Sequence, residues 1–361
     1  MSKVTQPHPH EASLHYHHAE VPGDGELTEV APGVYWLRMP LPFALDHINL
    51  WLLKDNGGWC IIDCGFASDA TRANWEQIFA NLPENETVTR LIVTHYHPDH
   101  IGLAAWLSER FKLTPQMALA EFLTAHAAAN NTPGYTKEAL HVLFHQHGLA
   151  ADQLKVMAGR GNVYQKMVPE LPATFRRIRE GDALSINQKS WRVITGYGHA
   201  PEHCALYCAE LNVLISGDMV LPRISTNVSV GTAEPDGDPL GLFLSSLDRY
   251  LELPEDTLVL PSHGKVFRGL HPRIAQLKAH HAERLDQLAA ACRTPQTAVE
   301  VLPVLFKREL DTHQMYFAMG EAVAHLNYLM HRGELRRDLG EDGVYRFVGG
   351  QLISSPIKHF L

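Results

Sequence analysis

The chain has 361 residues, of which 45% are hydrophobic and 20% are charged, and it carries a formal net charge of −9 at pH 7. This length and composition predict a globular protein with one large core and a smaller second module. The negative charge excludes a bulk electrostatic attraction to nucleic acid or to an anionic membrane. No apolar stretch approaches 18 residues, and the N-terminus has no basic start before an apolar run, so we expect a cytoplasmic protein without a membrane span.

The beginning of the chain is polar and unusually rich in histidine. Five of the 23 histidines fall within the first 18 residues: His8, His10, His15, His17 and His18. This segment has no hydrophobic pattern that would bury one face against a core. We therefore predict that residues 1–25 form a disordered His-rich leader and not a preorganised site.

Residues 26–268 have the pattern of one α/β domain. The short apolar runs GVYWLRM, HINLWLL and WCIIDCG predict strands, a helix is predicted from Ser68, and RLIVT predicts a buried strand. From about residue 105 to 180 the pattern is mostly helical, which predicts a helical insertion between two strands. Strand-like runs then resume as SWRVITGYG, HCALYCA, NVLISGD and DTLVLPSHG. Five apolar side chains of the insertion are expected either to pack in a core or to form a lid over a substrate. They are Phe144, Leu149, Met157, Tyr164 and Met167.

Residues 269–350 change to long helical stretches followed by GVYRFVGG. Three helices closed by a short strand or hairpin resemble a winged helix-turn-helix unit. Residues 265–346 contain 12 Lys and Arg against 10 Asp and Glu. Because this region is nearly neutral, it is poorly suited to phosphate contacts. We expect a winged-helix-like domain that packs against the rest of the chain or forms a homodimer, and we do not expect it to bind nucleic acid.

The five cysteines do not follow the spacing of a small disulfide scaffold. Cys60 and Cys64, and likewise Cys204 and Cys208, lie in strand-like segments. Residues four apart on a strand share one face, so we predict buried free thiols and not a zinc cluster.

The strongest chemical signal is the sequence THYHPDH, residues 94–100, at the point where a buried strand gives way to a helix. His95 and His97 alternate along extended backbone and can therefore turn toward one point. Asp99 and His100 follow the turn and can address a second point nearby. One short segment can thus supply ligands to two metal ions.

Three later segments repeat one arrangement, in which an apolar strand ends in a loop that presents one side chain able to bind metal. These side chains are His199, Asp218 and His263, and Asp63 follows an earlier strand in the same way. Loops at strand ends are suited to binding because the rigid sheet fixes their positions. His47 and His203 either line the same pocket or are hydrogen-bonded structural residues.

Together these motifs resemble the metallo-β-lactamase superfamily over residues 30–268. The resemblance implies a four-layer αβ/βα sandwich with the site at one edge of two sheets. It implies that His95, His97 and His199 bind one metal ion, that Asp99, His100 and His263 bind a second, and that Asp218 bridges both. It also implies that Asp63 hydrogen-bonds a ligand without binding metal itself. Tyr197 departs from the small residue or proline often found at its place in the family.

The ligand set predicts a particular chemistry. Two divalent ions lower the pKa of a shared water, which makes hydroxide available near neutral pH, and they polarise a substrate oxygen. Imidazole and carboxylate ligands suit zinc, with iron or manganese as alternatives. Asp99 lies beside that water by position, so we expect it to receive or orient the proton as the catalytic residue.

We therefore predict a binuclear metal-dependent hydrolase that acts on a small-molecule acyl substrate, a thioester, ester or lactone, as the glyoxalase II branch does. A phosphodiesterase or endoribonuclease is an alternative, because two metals serve displacement at phosphorus equally well. A persulfide dioxygenase with a single iron is another, since its relatives retain the same histidine motif. A non-catalytic binding module is disfavoured by the complete ligand set.

Overall fold

The structure is a computed structural model that describes residues 14–43 and 45–349. Contacts within the chain divide it into two compact units. Among the described residues, the first unit comprises residues 14–132, 162–226 and 242–277, and the second comprises residues 133–161, 227–241 and 278–349. The predicted boundaries at residues 26, 268 and 350 stay predictions.

Two β-sheets form the framework of the first unit. The larger sheet has seven strands in sequence order: β1 (Thr28–Ala31), β2 (Val34–Pro40), β3 (His47–Asp55), β4 (Gly58–Ile62), β5 (Thr87–Ile92), β6 (Gln116–Met117) and β7 (Arg176–Arg177). The smaller sheet has the order β12-β11-β10-β9-β8, with β8 (Ala183–Ile186), β9 (Lys189–Gly196), β10 (His203–Cys208), β11 (Val213–Gly217) and β12 (Leu258–Pro261). Strands are antiparallel from β1 to β4 and from β8 to β11, and the remaining pairs are parallel.

Alternation along the strands explains how the sheets pack. In β2, Trp36 joins a buried cluster that includes residues of both sheets, whereas Leu37 joins a cluster with helical residues on the opposite face. Trp36 stacks on Trp51 of β3, with ring centroids 6.4 Å apart. Successive side chains of a strand point to opposite faces, so a sheet buried on both sides needs apolar residues at nearly every position. The mixed α/β fold is therefore the αβ/βα sandwich that the sequence predicts.

Helices occupy both units. The helices within the first unit are α1 (Asp69–Ala80), α2 (Pro98–Ile101), α3 (Ala104–Phe111), α4 (Leu119–Ala129) and α7 (Val163–Met167). Ser68 caps α1 through a hydrogen bond from the backbone N–H of Thr71 to its side chain, as expected. Two helices contain a boundary between the units: α8 (Pro239–Arg249) and α9 (Leu270–Ala291).

The second unit contains α5 (Lys137–Gln146), α6 (Ala151–Ala158), α10 (Leu302–Leu305), α11 (Thr312–His331) and the antiparallel hairpin of β13 (Leu335–Leu339) and β14 (Tyr345–Gly349). Helices followed by a hairpin agree with the predicted element order, and the winged-helix assignment stays a prediction. Phe144 of α5 is buried and packs edge-on against Tyr316 of α11. This residue of the insertion therefore has a core role.

The structure adds to one sequence prediction and differs from another. The segment 105–180 is mostly helical, as expected, and it also contains β6 and β7, which extend the larger sheet. The prediction of disorder over residues 1–25 is wrong for its second half, since His15 pairs with Arg268 through two backbone hydrogen bonds and Leu14 is buried. His8 and His10 lie outside the described residues.

Two further observations bear on the chain as a whole. All five cysteines are buried and free, as predicted. None of the helices in the described ranges combines the length and the apolar character needed to cross a membrane.

Candidate metal centre

Strand ends bring the seven predicted ligand side chains together. His95 follows β5, Asp218 follows β11 and His263 follows β12, while His97 is the N-cap residue of α2. Their ligand atoms form two groups in which all atoms lie within 4.8 Å of one another. The first group contains His95, His97, His199 and Asp218, and the second contains Asp99, His100 and His263.

The first group consists mainly of imidazole nitrogens. Nε2 of His95 lies 2.9 Å from Nδ1 of His97 and 3.2 Å from Nε2 of His199. Burial and the neighbouring imidazoles lower the pKa of His95 well below its usual value, and burial and His199 lower the pKa of His97 to about 3. These histidines are therefore neutral near pH 7, and a neutral imidazole is the form that binds a metal ion.

The second group places two histidines among carboxylates. Oδ2 of Asp99 lies 3.4 Å from Nε2 of His263 and 3.8 Å from Nε2 of His100. Burial lowers the pKa of His263, but Asp218 and Asp99 outweigh it and raise that pKa to about 10. Burial likewise opposes ionisation of Asp99, but His100 and His263 lower its pKa to about 2. The carboxylates thus favour a positive charge on the imidazoles of this group, and a divalent ion would take the place of the protons that carry it.

Asp218 faces both groups at once. Its Oδ2 lies 3.3 Å from Nε2 of His199, and its Oδ1 lies 3.6 Å from Nε2 of both His100 and His263. Burial raises the pKa of Asp218, but His263 and His100 outweigh this and hold it well below the usual range. One ionised carboxylate is thus shared by two groups of nitrogen atoms.

The donor atoms fit a metal ion. Nε2 of His100 and Oδ1 of Asp218 are buried and make no hydrogen bond within the part of the chain that the structure describes. Buried polar atoms nearly always have a partner, because leaving one unsatisfied is costly. Imidazole and carboxylate atoms that converge in this way are the usual ligands of zinc and other divalent transition metals.

Hydrogen bonds behind the second group fix the orientation of its imidazoles. Nδ1 of His100 donates to Oδ2 of Asp63 at 2.8 Å, and Nδ1 of His263 donates to the carbonyl of His47 at 2.9 Å. Both acceptors can only accept, so each Nδ1 carries a proton, and each Nε2 is the nitrogen available to a metal ion in place of a second proton. Asp63 also accepts hydrogen bonds from the N–H and the hydroxyl of Thr94.

The two histidines whose role the sequence leaves open are hydrogen-bonded to backbone. Nε2 of His47 accepts the N–H of Gly264 at 2.9 Å, and Nε2 of His203 accepts the N–H of Asp218 at 3.2 Å. Each supports the loop that carries a predicted ligand, which favours the structural interpretation. The ring of Tyr197 lies 5.5 Å from the guanidinium of Arg249.

Sequence reasoning missed Glu121, which contacts the loops of the first group. Its side chain is fully buried in α4, and its carboxylate accepts the N–H of Tyr96 and the N–H of Glu202. Burial raises its pKa above the usual value, although these two hydrogen bonds lower it. The only signal in the sequence is a carboxylate inside the apolar helix LAEFLTAHAAA.

Comparisons with known proteins agree with this geometry. The family described as the metallo-beta-lactamase superfamily matches residues 44–263, and the family described as the metallo-beta-lactamase-like C-terminal domain matches residues 285–350. The solved structure of a beta-lactamase domain protein from Burkholderia ambifaria is 49% identical, with a TM-score of 0.89 over 95% of this chain and 100% of that one.

Two curated relatives are more distant. The probable metallo-hydrolase YqjP of Bacillus subtilis is 25% identical over 299 residues, which cover 81% of this chain and 91% of that protein. A hydroxyacylglutathione hydrolase of Hamiltonella defensa is 24% identical over 291 residues, which cover 75% of this chain and 90% of that protein.

Proposed function

The chain belongs to the metallo-beta-lactamase superfamily and is a metallo-hydrolase of that superfamily, and we propose that it cleaves a thioester, or a related ester or lactone, with two divalent metal ions. The observation that carries the proposal is the position of Asp218, whose two oxygens face two separate groups of imidazole nitrogens. A carboxylate shared in this way suits a pair of adjacent cations better than one.

We assign His95, His97 and His199 to the first ion and Asp99, His100 and His263 to the second. Asp218 is the ligand common to both. We propose zinc as the metal, because the donors are imidazole nitrogens and carboxylate oxygens. Neither group, as found within the described ranges, includes a cysteine.

When bound, the two ions supply Lewis acidity, which polarises a substrate oxygen and lowers the pKa of a water molecule. The residues of the chain then hold the reactants in place. Asp99 has a side chain that is 20% exposed, whereas the side chain of His100 is fully buried. Of these two proposed ligands, Asp99 is therefore better able to reach a water molecule. We propose that Asp99 orients this water through a hydrogen bond to its carboxylate.

The name of a relative supports the choice of a thioester. The protein from Hamiltonella defensa is named as a hydrolase of hydroxyacylglutathione, in which an acyl group is carried by the thiol of glutathione. Its identity of 24% leaves the acyl group and the carrier open. Acyl-glutathione and acyl-coenzyme A are therefore the first substrates to compare.

Metal analysis and a substrate panel test the proposal. We expect the purified protein to contain two zinc ions per chain and to hydrolyse an acyl-glutathione or acyl-coenzyme A faster than a lactone, nitrocefin or a phosphodiester. Removal of the metal with a chelator should abolish turnover, and added zinc should restore it.

Each competing function predicts a different result in this experiment. Faster cleavage of the phosphodiester, with salt-sensitive binding of RNA, would favour a phosphodiesterase or endoribonuclease. One iron per chain with consumption of oxygen would favour a persulfide dioxygenase. Thioester turnover that survives removal of the metal would end the proposal.

A further inference from the structure

Glu121 connects two loops that carry proposed ligands of the first metal ion. Its Oε2 accepts the N–H of Tyr96 at 2.9 Å, and its Oε1 accepts the N–H of Glu202 at 2.5 Å. Tyr96 stands between His95 and His97 in the chain, and Glu202 stands between His199 and His203. One carboxylate therefore holds the backbone of both loops.

The contact to Tyr96 fixes how the two histidines beside it are directed. The N–H of Tyr96 belongs to the peptide unit that joins it to His95, and its carbonyl belongs to the unit that joins it to His97. Glu121 accepts from that N–H, and the hydroxyl of Tyr164 in α7 donates to that carbonyl at 2.7 Å. Both peptide units between the two proposed ligands are thus held by helices of the insertion.

The second loop is held reciprocally. The carboxylate of Glu202 accepts the N–H of Ala120 in the first turn of α4 at 3.2 Å, while Glu202 donates its own N–H to Glu121. On the strand side, the N–H of Cys204 donates to the carbonyl of Thr94 at 2.9 Å and links the same two segments. The loops are therefore joined on two sides.

A carboxylate at this place is costly unless its hydrogen bonds offset the loss of water. Glu121 is fully buried within α4, among residues such as Ala125 that contribute to an apolar cluster. Burial of a charged group is unfavourable without partners, and two backbone N–H donors are strong partners for a carboxylate. An apolar side chain would fill this position but would leave both N–H groups without their acceptor.

We propose that Glu121 is a positioning residue that sets the distance between the loop of His95 and His97 and the loop of His199, and so determines the affinity for the first metal ion. Tyr164 contributes through the carbonyl of Tyr96. The inference rests on the proposed function, because it takes these three histidines as ligands of one ion.

Zinc titration of the metal-free proteins, in competition with a chromophoric chelator, tests the inference without any substrate. Glu121→Gln keeps the shape of the side chain but replaces one acceptor oxygen by an NH₂ group, so one of the two N–H groups loses its partner. We expect the dissociation constant of one zinc ion to rise about ten- to a hundredfold, and that of the other to change less. Tyr164→Phe should produce a smaller rise in the same constant.

Asp55→Asn is the matched control. Asp55 is a buried carboxylate whose Oδ1 accepts two backbone N–H groups, those of Asn56 and Asn187, and whose Oδ2 lies 3.7 Å from the guanidinium of Arg90. It belongs to neither group of proposed ligands. Because Asn can keep the Oδ1 acceptor but loses the ion pair with Arg90, we expect this variant to lower the melting temperature of the metal-free protein and to leave both zinc dissociation constants as in the wild type.

The outcomes separate this inference from the proposed function. If the wild type binds two zinc ions and Glu121→Gln binds both with unchanged affinity while melting at a lower temperature, Glu121 has only a structural role and the inference is wrong. If Glu121→Gln does not fold, unchanged zinc affinity in Tyr164→Phe shows equally that the inference is wrong. If the wild type itself does not bind two ions, the proposed function fails and the inference fails with it.

Discussion

Nδ1 of His100 and Oδ2 of Asp63 lie 2.8 Å apart, and both side chains are buried. Asp63 is in the left-handed backbone region, with a φ of 63°, directly after β4. This conformation is unusual for a residue with a side chain, and Asp and Asn tolerate it best. The chain accepts it at a place where the carboxylate reaches both Thr94 and His100.

Replacing Asp63 by Asn should weaken the binding of the second metal ion. Asn tolerates the same backbone conformation, but it offers a single acceptor oxygen to the three groups that now donate hydrogen bonds to the carboxylate of Asp63. We expect zinc affinity and turnover to fall about ten- to a hundredfold. Metal content after dialysis and kcat measure the effect. Unchanged metal content would show that Asp63 does not orient a ligand.

Replacing His97 by Ala should abolish turnover while the fold is largely preserved. The side chain is a proposed ligand at the start of α2, and its removal leaves the packing of the sheets intact. We expect one tightly bound zinc ion instead of two, with a circular dichroism spectrum like that of the wild type. Full turnover in this variant would mean that the site assignment is wrong.

Gly217 and Gly57 provide a matched pair of substitutions by Ala. Both have positive φ, of 52° and 74°, so each substitution carries a backbone cost of about 1–2 kcal/mol. A Cβ atom at Gly217 would lie 2.2 Å from Nε2 of His203, whereas a Cβ atom at Gly57 would have no atom within 4 Å.

We therefore expect Gly217→Ala to melt at a clearly lower temperature than Gly57→Ala. It should also bind zinc more weakly, because a displaced His203 no longer accepts the N–H of Asp218. Thermal melts of the metal-free proteins and zinc titration measure both effects. Equal melting temperatures would contradict the predicted clash.

Two buried histidines in the second unit predict a loss of stability in acid. Nδ1 of His281 and Nε2 of His325 lie 3.1 Å apart. Burial and His325 lower the pKa of His281 to about 3, and burial lowers the pKa of His325 to about 4 in spite of its hydrogen bond to Glu321. Below pH 6.5 the unfolded chain therefore binds protons that the folded chain does not.

The free energy of unfolding should consequently fall as the pH decreases from about 6.5 to about 4, by up to about 1.4 kcal/mol per pH unit for each histidine. We expect His325→Leu to flatten the dependence of melting temperature on pH in this range, and the exposed control His141→Leu to keep it. Burial raises the pKa of Glu321 to about 7, which acts in the opposite direction, but Glu321 is common to all three proteins. If the melting temperatures of the wild type and of His325→Leu depended on pH in the same way, the predicted contribution of His325 to acid sensitivity would be wrong.

Long apolar runs make most of the larger elements predictable from the sequence. The strands β2 to β5 and β9 to β12 are recognisable because each buries several residues of an apolar run. The strands β6 and β7 have two residues each, which is too short for any periodicity, and the pattern around them therefore predicts a helical insertion. The sequence around His15 gives no local signal of its ordered structure, because the residue with which it pairs, Arg268, lies far away in the chain.

The sequence by itself determined which side chains to consider as ligands, since each follows an apolar strand or belongs to the short motif THYHPDH. Only the tertiary structure decided that His47 and His203 are bonded to backbone and that Glu121 joins two loops. The physical reason is that hydrogen bonds to backbone N–H groups have no signature in residue type. Such contacts depend on which distant peptide units the fold brings together.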